Sequence, residues 1–232
     1  MEKIELALQS ALQSPFFGIV LSIAAYNAGR WVNRTLKTPV ANPLLIAMFL
    51  VVAFVRFFEF PVEDYERGGD LLLLMLVPAT CVLGVSIYHK RQLLKERFLP
   101  ICAGCFAGAL VSMISTFLLC RLFGLSELLR LSLMPKSVTT PIAVELAQQV
   151  GGIPALAVAA VIFTGIFGNI IAPWLIKFFK AEDPVIAGIA LGTASHAVGT
   201  AKAIELGETE GAIAGIAIGL TGLFTVFLFL WL

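Results

Sequence analysis

Long apolar runs separated by short charged segments set the pattern of this chain. Six stretches, 15–29, 43–60, 71–88, 98–123, 153–179 and 211–232, are almost wholly apolar. A membrane span needs roughly 20 mostly apolar residues, so each is read as a span, the first reaching that length only with its lead-in. The lead-in, 1–14, carries Glu2, Lys3 and Glu5 among leucines at helical spacing. It lacks the basic start and small-residue cleavage site of a signal peptide and is read as a retained amphipathic segment. Two further stretches, 128–150 and 184–206, are apolar but interrupted by Pro, Gly, Ser, Thr, Lys and His. The pattern predicts an all-α polytopic membrane protein, one domain over 1–232, with about seven or eight membrane segments, two of them broken or re-entrant.

Composition removes the competing classes. Of 232 residues, 59% are apolar and 13% charged, against about 45–50% and about 25% in soluble domains. A soluble interior of this size could not hide that much apolar surface, so the lipid bilayer is the expected solvent. The net charge of +1, from sixteen basic and fifteen acidic residues, gives no reason to expect nucleic acid. Cys81, Cys102, Cys105 and Cys120 all lie in apolar runs. Cys102 and Cys105 form a C-x-x-C, but Ile101, Ala103, Gly104 and Phe106 make it a helix interior, so packing is expected there rather than a metal site.

The charged connections set an orientation. Arg30, Arg34 and Lys37 form one basic loop, Lys90, Arg91, Lys95 and Arg97 a second, and Lys177 with Lys180 a third. By the positive-inside rule these face the cytoplasm. The loop 59–70, with Glu59, Glu63, Asp64, Glu66 and Asp70 against Arg67, is then external, as is the N-terminus. For Lys177 and Lys180 to lie inside, 128–150 has to enter and leave on one side. Helix-breaking backbone at membrane depth is tolerated only where protein or a water-filled cavity satisfies it, and paired interrupted segments point to a secondary-transporter site. A faint internal repeat fits this pattern: 70–90 is loosely like 183–206, and Lys37-Thr38-Pro39 echoes Thr139-Thr140-Pro141. It divides the chain into halves 15–124 and 125–232.

Two polar motifs carry the candidate chemistry. In Met134-Pro135-Lys136-Ser137-Val138-Thr139-Thr140-Pro141, Pro135 ends any incoming helix, and Thr140-Pro141 reads as the cap and first residue of a new one. Free N–H groups at that helix start would converge with Lys136, Ser137 and Thr139 on a place suited to a carboxylate. In Gly192-Thr193-Ala194-Ser195-His196-Ala197-Val198-Gly199-Thr200-Ala201-Lys202, a continuous helix would put Ser195, Gly199 and Lys202 on one face and His196 with Thr200 on the next. Ionisable groups at membrane depth usually mark a substrate or proton path, and His196 titrates in a range that suits proton coupling. The alternatives stay open: His196 as a cap on a backbone break, Lys202 snorkelling to an interface. Glu145 is a proton or cation site, a partner of Lys136, or a residue near the surface. Gly104 with Gly108, and Gly211, Gly215 and Gly219, signify close helix packing, within the chain or in a homo-oligomer.

Through these two motifs the chain resembles the LrgB/CidB family of antiholin-like bacterial membrane proteins. The likeness continues through Glu205, Gly207, Glu208, Glu210, Gly211 and Ala212, includes Asn42-Pro43 at the start of the second span, and covers essentially the whole chain. The resemblance implies a multi-pass protein of the bacterial inner membrane with an LrgA/CidA-like membrane partner. It implies two different functions: modulation of murein hydrolase export and cell lysis, or transport of small monocarboxylates of the glycolate, glycerate or pyruvate class. The residues favour transport, because a lesion-forming holin has no evident need for a proline-bracketed Lys-Ser-Thr helix start and an intramembrane His. The expected substrate-binding residues are Lys136, Ser137, Thr139, Thr140, Thr193, Ser195, His196, Thr200 and Lys202, with His196 and Glu145 as coupling candidates. No cofactor or metal is expected. Nor is enzyme chemistry, since Ser195 and His196 are sequence neighbours, which generally cannot form a nucleophile–base pair.

Overall fold

The computed structural model describes residues 12–36, 38 and 41–231, and those residues are all helix, turn and loop. The lead-in up to residue 11, and Lys37 and Pro39 of the first basic loop and its repeat echo, lie outside them. Proline and caps set many helix starts. Proline occupies one of the first two positions at residues 43, 141, 154 and 184, where its missing N–H costs no helix bond. Asn42, Ser126 and Asp183 cap the starts beside them through side-chain oxygens.

The chain packs as two units, 1–82 and 83–232. The first contains α1 (Pro15–Leu36), α2 (Pro43–Phe57) and α3 (Val62–Leu73). Gly29 packs on the Pro43 backbone and Gly18 on Tyr65 and Gly68, so α1 lies against both neighbours, and Ser22 Oγ meets the Tyr65 hydroxyl at 2.9 Å. The expected loop 59–70 is largely helical. Pro61 precedes a first turn bearing Glu63 and Asp64, which the positive end of the helix dipole favours. α4 (Leu76–His89) spans the boundary, so the expected run 71–88 is divided between two helices.

The second unit holds α5 (Arg91–Glu96), α6 (Phe98–Leu122), α7 (Glu127–Leu133), α8 (Thr140–Gln149), α9 (Pro154–Phe178), α10 (Pro184–Leu206) and α11 (Glu208–Phe229). Among the described residues, α6, α9, α10 and α11 are long and apolar enough to cross a membrane. α10 is not one continuous rod: Ser195 (φ −127°) and His196 (φ 42°, ψ −135°) leave the helix, separating an arm 184–194 from an arm 197–206. The chain turns back there. In a straight helix, residues 191 and 199 are about 12 Å apart along the axis, yet a side chain at Gly199 would collide with the Leu191 carbonyl. Farther from the turn, Leu191 and Ala203 share one core cluster with Ala172 and Ala214.

α7 and α8 form a second hairpin. Arg130 sits over the Phe117 ring at 4.9 Å, Met134 packs with Met113, and Ser137 Oγ lies 2.7 Å from Ser112 Oγ, so α7 runs antiparallel to α6. After α8 the chain returns beside α7, where Ser132 Oγ accepts the Ile153 N–H at 2.7 Å. The α10 hairpin uses the other half of α6: Ile101 clusters with Val185, Gly104 faces Ile189, and Gly108 faces Thr193. The two hairpins therefore approach from opposite ends of α6 and turn around at its middle. α9 runs antiparallel to α6, meeting the α7–α8 hairpin through Ala157 and Val161 and the α10 hairpin through Gly165 and Gly168. Gly104, Gly108 and Gly211 all make contacts within the chain, while Gly219 faces open space.

Candidate functional site

The two polar motifs meet because α6 and α9 each touch both hairpin tips. Ser112, bonded to Ser137, lies one turn beyond Gly108, which packs on Thr193, a rise of about 6 Å. On α9, Val161 clusters with Val138 of the first tip, and its carbonyl lies 2.7 Å from His196 Nε2 of the second. A carbonyl only accepts, so Nε2 carries a proton, and Nδ1 is an acceptor whenever the ring is neutral.

At the first tip the ammonium of Lys136 is half-buried. It reaches Ser137 Oγ at 3.3 Å and Ser112 Oγ at 3.5 Å, beyond the usual hydrogen-bond range of about 2.7–3.2 Å. No carboxylate pairs with it among the described residues. Thr139 is the cap position of α8 and Thr140 its first residue, one place earlier than the sequence suggests, and the Thr139 hydroxyl makes no capping bond. The early N–H groups of α8 thus open toward the tip.

At the second tip Ser195 is 2% and His196 4% exposed. His196 has a positive φ that β-carbon residues adopt only under constraint, a strain of about 1–3 kcal/mol. Its constraints are visible: the Val161 bond and a seat on Gly165, where an added methyl would strike the imidazole. Ser195 sits on Gly168 in the same way, and Asn169 Nδ2 donates to the Val198 carbonyl at 3.2 Å. Lys136 is near enough to His196 to act on it electrostatically.

Lys136, Ser137, Thr139, Thr140, Thr193, Ser195 and His196 therefore belong to the two tips. Thr200 lies on the return arm, 4% exposed, its hydroxyl without a hydrogen-bond partner among the described residues. Lys202 is off the tips and pairs with Glu205 at 2.9 Å. The continuous helix expected to carry Ser195, Gly199 and Lys202 on one face is broken at Ser195 and His196; Gly199 still packs on the Ser195 side chain, while Lys202 lies along the return arm. Glu145 is exposed and accepts from Gln149 Nε2 at 3.2 Å rather than from Lys136. Sequence reasoning missed Ser112, Asn169 and the glycine seats Gly165 and Gly168. An amide and a glycine pair inside an apolar span were signals for the last three. Cys105 is buried next to Thr221, and the described residues hold no cluster of metal-ligand side chains.

Comparison with known proteins agrees with the motifs. The LrgB-like family matches residues 22–232. The chain is similar to the "Antiholin-like protein LrgB" of Bacillus subtilis (strain 168), 36% identical over 214 residues that cover 92% of this chain and 93% of that protein. A protein of the same name from Bacillus cereus (strain B4264) is 34% identical over 218 residues, 94% of this chain and 95% of that one. No solved structure matches. With the family matched along nearly the whole chain and long apolar helices to carry it through a bilayer, this protein belongs to the LrgB-like family and is a multi-pass protein of the bacterial inner membrane.

Proposed function

We propose that the protein transports or exchanges small monocarboxylates and that the carboxylate binds between the two hairpin tips, on Lys136. One observation carries this reading: an ammonium without a carboxylate partner, held only by two long contacts to serine hydroxyls, stands where two helix breaks meet. An unpaired ion drawn partly out of water carries a desolvation cost. A carboxylate would offset that cost through charge and shorter, charge-assisted bonds, with the α8 N–H groups and the Ser137 and Thr139 hydroxyls completing its shell. One cation and several hydroxyls fit a monoanion better than a dianion.

In this reading 128–150 and 184–206 are re-entrant hairpins, entering from the outer and the cytoplasmic face respectively, and the chain has seven or eight membrane segments. The antiparallel course of α6 and α9, which brings Arg97 and Lys177 to one end, supports that assignment, as does the Lys90–Glu208 pair at 3.7 Å, at the same end. His196 is the candidate for a coupled proton and Glu145 a second, more exposed one. An LrgA/CidA-like membrane protein is the proposed partner. The relatives' name, antiholin-like, favours a second reading without transport; the family resemblance makes that role the modulation of murein hydrolase export. Reconstitution in proteoliposomes, with and without the partner, separates the two. Gradient-driven uptake of labelled pyruvate or glycolate above empty vesicles is expected; its absence under both conditions, in folded protein, favours the antiholin-like reading.

A further inference from the structure

We infer that 98–150 and 154–206 are inverted repeats and that the two cavities between them are the two ends of a single path for the same small carboxylate; the path rests on the transport reading above, the repeat does not. The landmarks fall at one offset. α6 and α9 are each 25 residues long and start 56 residues apart. Buried positions 101, 105, 109 and 116 of α6 have buried counterparts at 157, 161, 165 and 172 of α9. Arg121 and Lys177 close the last turns, and Gly124 and Lys180 follow with φ of 65° and 50°, again 56 apart. The hairpins repeat at 57: Ser126 and Asp183 cap the first arms, and the second arms are 140–149 and 197–206. Because α6 and α9 run antiparallel, the two halves are related by inversion. A transporter built this way places its site where the repeats meet.

The cavities obey the same relation. One, of about 450 Å³, is lined by Pro100, Gly104 and Thr193; the other, of about 440 Å³, by Leu156, Ala160 and Lys136. Each of these residues in the first cavity has its counterpart in the second at an offset of 56 along the long helices, and Thr193 corresponds to Lys136 at 57 along the hairpins. The first cavity runs from Arg97 and Asp183 at the start of α6 to the α10 tip. The second runs from Phe123 and Leu125 at the opposite end to the α7–α8 tip. The cytoplasmic mouth thus carries Arg97 together with Asp183, and Lys136 stands at the inner end of the other cavity.

The test is sided labelling of the full chain with its native cysteines replaced. Ala190, which lines the first cavity, and Ala160, which lines the second, are each changed to Cys and exposed to a membrane-impermeant thiol reagent in right-side-out and inverted vesicles. Ala190→Cys is expected to react at least about tenfold faster from the cytoplasmic side, and Ala160→Cys at least about tenfold faster from the external side. Reaction of both from one side, or of neither, in protein that is folded and inserted, overturns the inference. The labelling needs no substrate, so a failure of carboxylate uptake bears on the transport reading and leaves the repeat to be judged on accessibility alone.

Discussion

The two hairpins turn at the same height of the unit 83–232 and are held there by opposite means. The α10 hairpin is seated on glycine: Gly188, Gly192 and Gly199 admit backbone or branched side chains of its neighbours, and Gly165 and Gly168 receive His196 and Ser195. The α7–α8 hairpin meets α6 through hydroxyls, an ammonium and apolar side chains, and its contact with a glycine of α11 is the flexible end of Ile142 against Gly222; its one glycine seat, Gly152, lies at its base, against Ala147 and Ser132 of its own arms. Interlocked backbones cannot yield without moving whole helices, whereas hydroxyl and ammonium bonds can be exchanged for bonds to a ligand. The difference teaches that one tip is built as a wall and the other as a replaceable polar surface.

The largest effect that follows is on assembly. Gly192→Ala would press on the Ala214 carbonyl and Gly199→Ala on the Leu191 carbonyl, both backbone atoms, so each should cost about 1–3 kcal/mol or more. Thermal unfolding in detergent should show a marked loss for both. Gly222→Ala meets only Ile142 Cδ1 and Gly219→Ala meets nothing, and these should be close to wild type. Equal losses across the four would erase the distinction between the hairpins.

Next comes the polar tip. Lys136→Ala should nearly abolish saturable uptake while leaving the folded protein intact, because nothing but hydroxyls is left without its partner. Thr139→Ala, which removes a hydroxyl that makes no capping bond, should weaken apparent affinity by roughly 1–2 kcal/mol. Affinity measured from the concentration dependence of uptake checks the order. A larger loss for Lys202→Ala than for Lys136→Ala would move the charge requirement to the other hairpin.

How much of this could be read from the residues depends on which force left its mark. The break in 128–150 was legible because Pro135 ends one helix and Thr140-Pro141 starts another, and α7 and α8 fall on either side of it. The break in α10 was legible as interruption but not in place: the positive φ falls on His196, flanked by Gly192 and Gly199, where a glycine would be the natural guess. Its position comes from a bond to Val161, 35 residues away, which no local pattern encodes. Ser112 was hidden for a similar reason. Hydroxyls in apolar helices commonly bond back to their own turn, as Ser115 and Thr116 do here, and nothing local shows that Ser112 instead meets Ser137. The segment 71–88 read as one span, but the helix begun after Pro61 runs into it and ends at Leu73.

A smaller effect concerns His196. His196→Gln can still donate to the Val161 carbonyl, so the hairpin should stay seated, whereas His196→Ala removes that bond at a net cost of about 0.5–1.5 kcal/mol. Among the described residues, Lys136 is the charged group that acts electrostatically on the ring. If His196 carries the coupled proton, uptake by the Gln variant should lose its dependence on pH between about 5 and 8 while counterflow of unlabelled for labelled substrate persists. A pH profile identical to wild type would leave the imidazole as an anchor alone.

Direct binding addresses the central claim most closely, because it needs neither partner nor gradient. Titration of the purified protein with pyruvate or glycolate should give saturable heat or a saturable rise in melting temperature, kept in His196→Gln and lost in Lys136→Ala. Undiminished binding by Lys136→Ala, in protein shown to be folded, would contradict the account and make the Lys136-Ser137 tip a structural element rather than the place where the carboxylate sits.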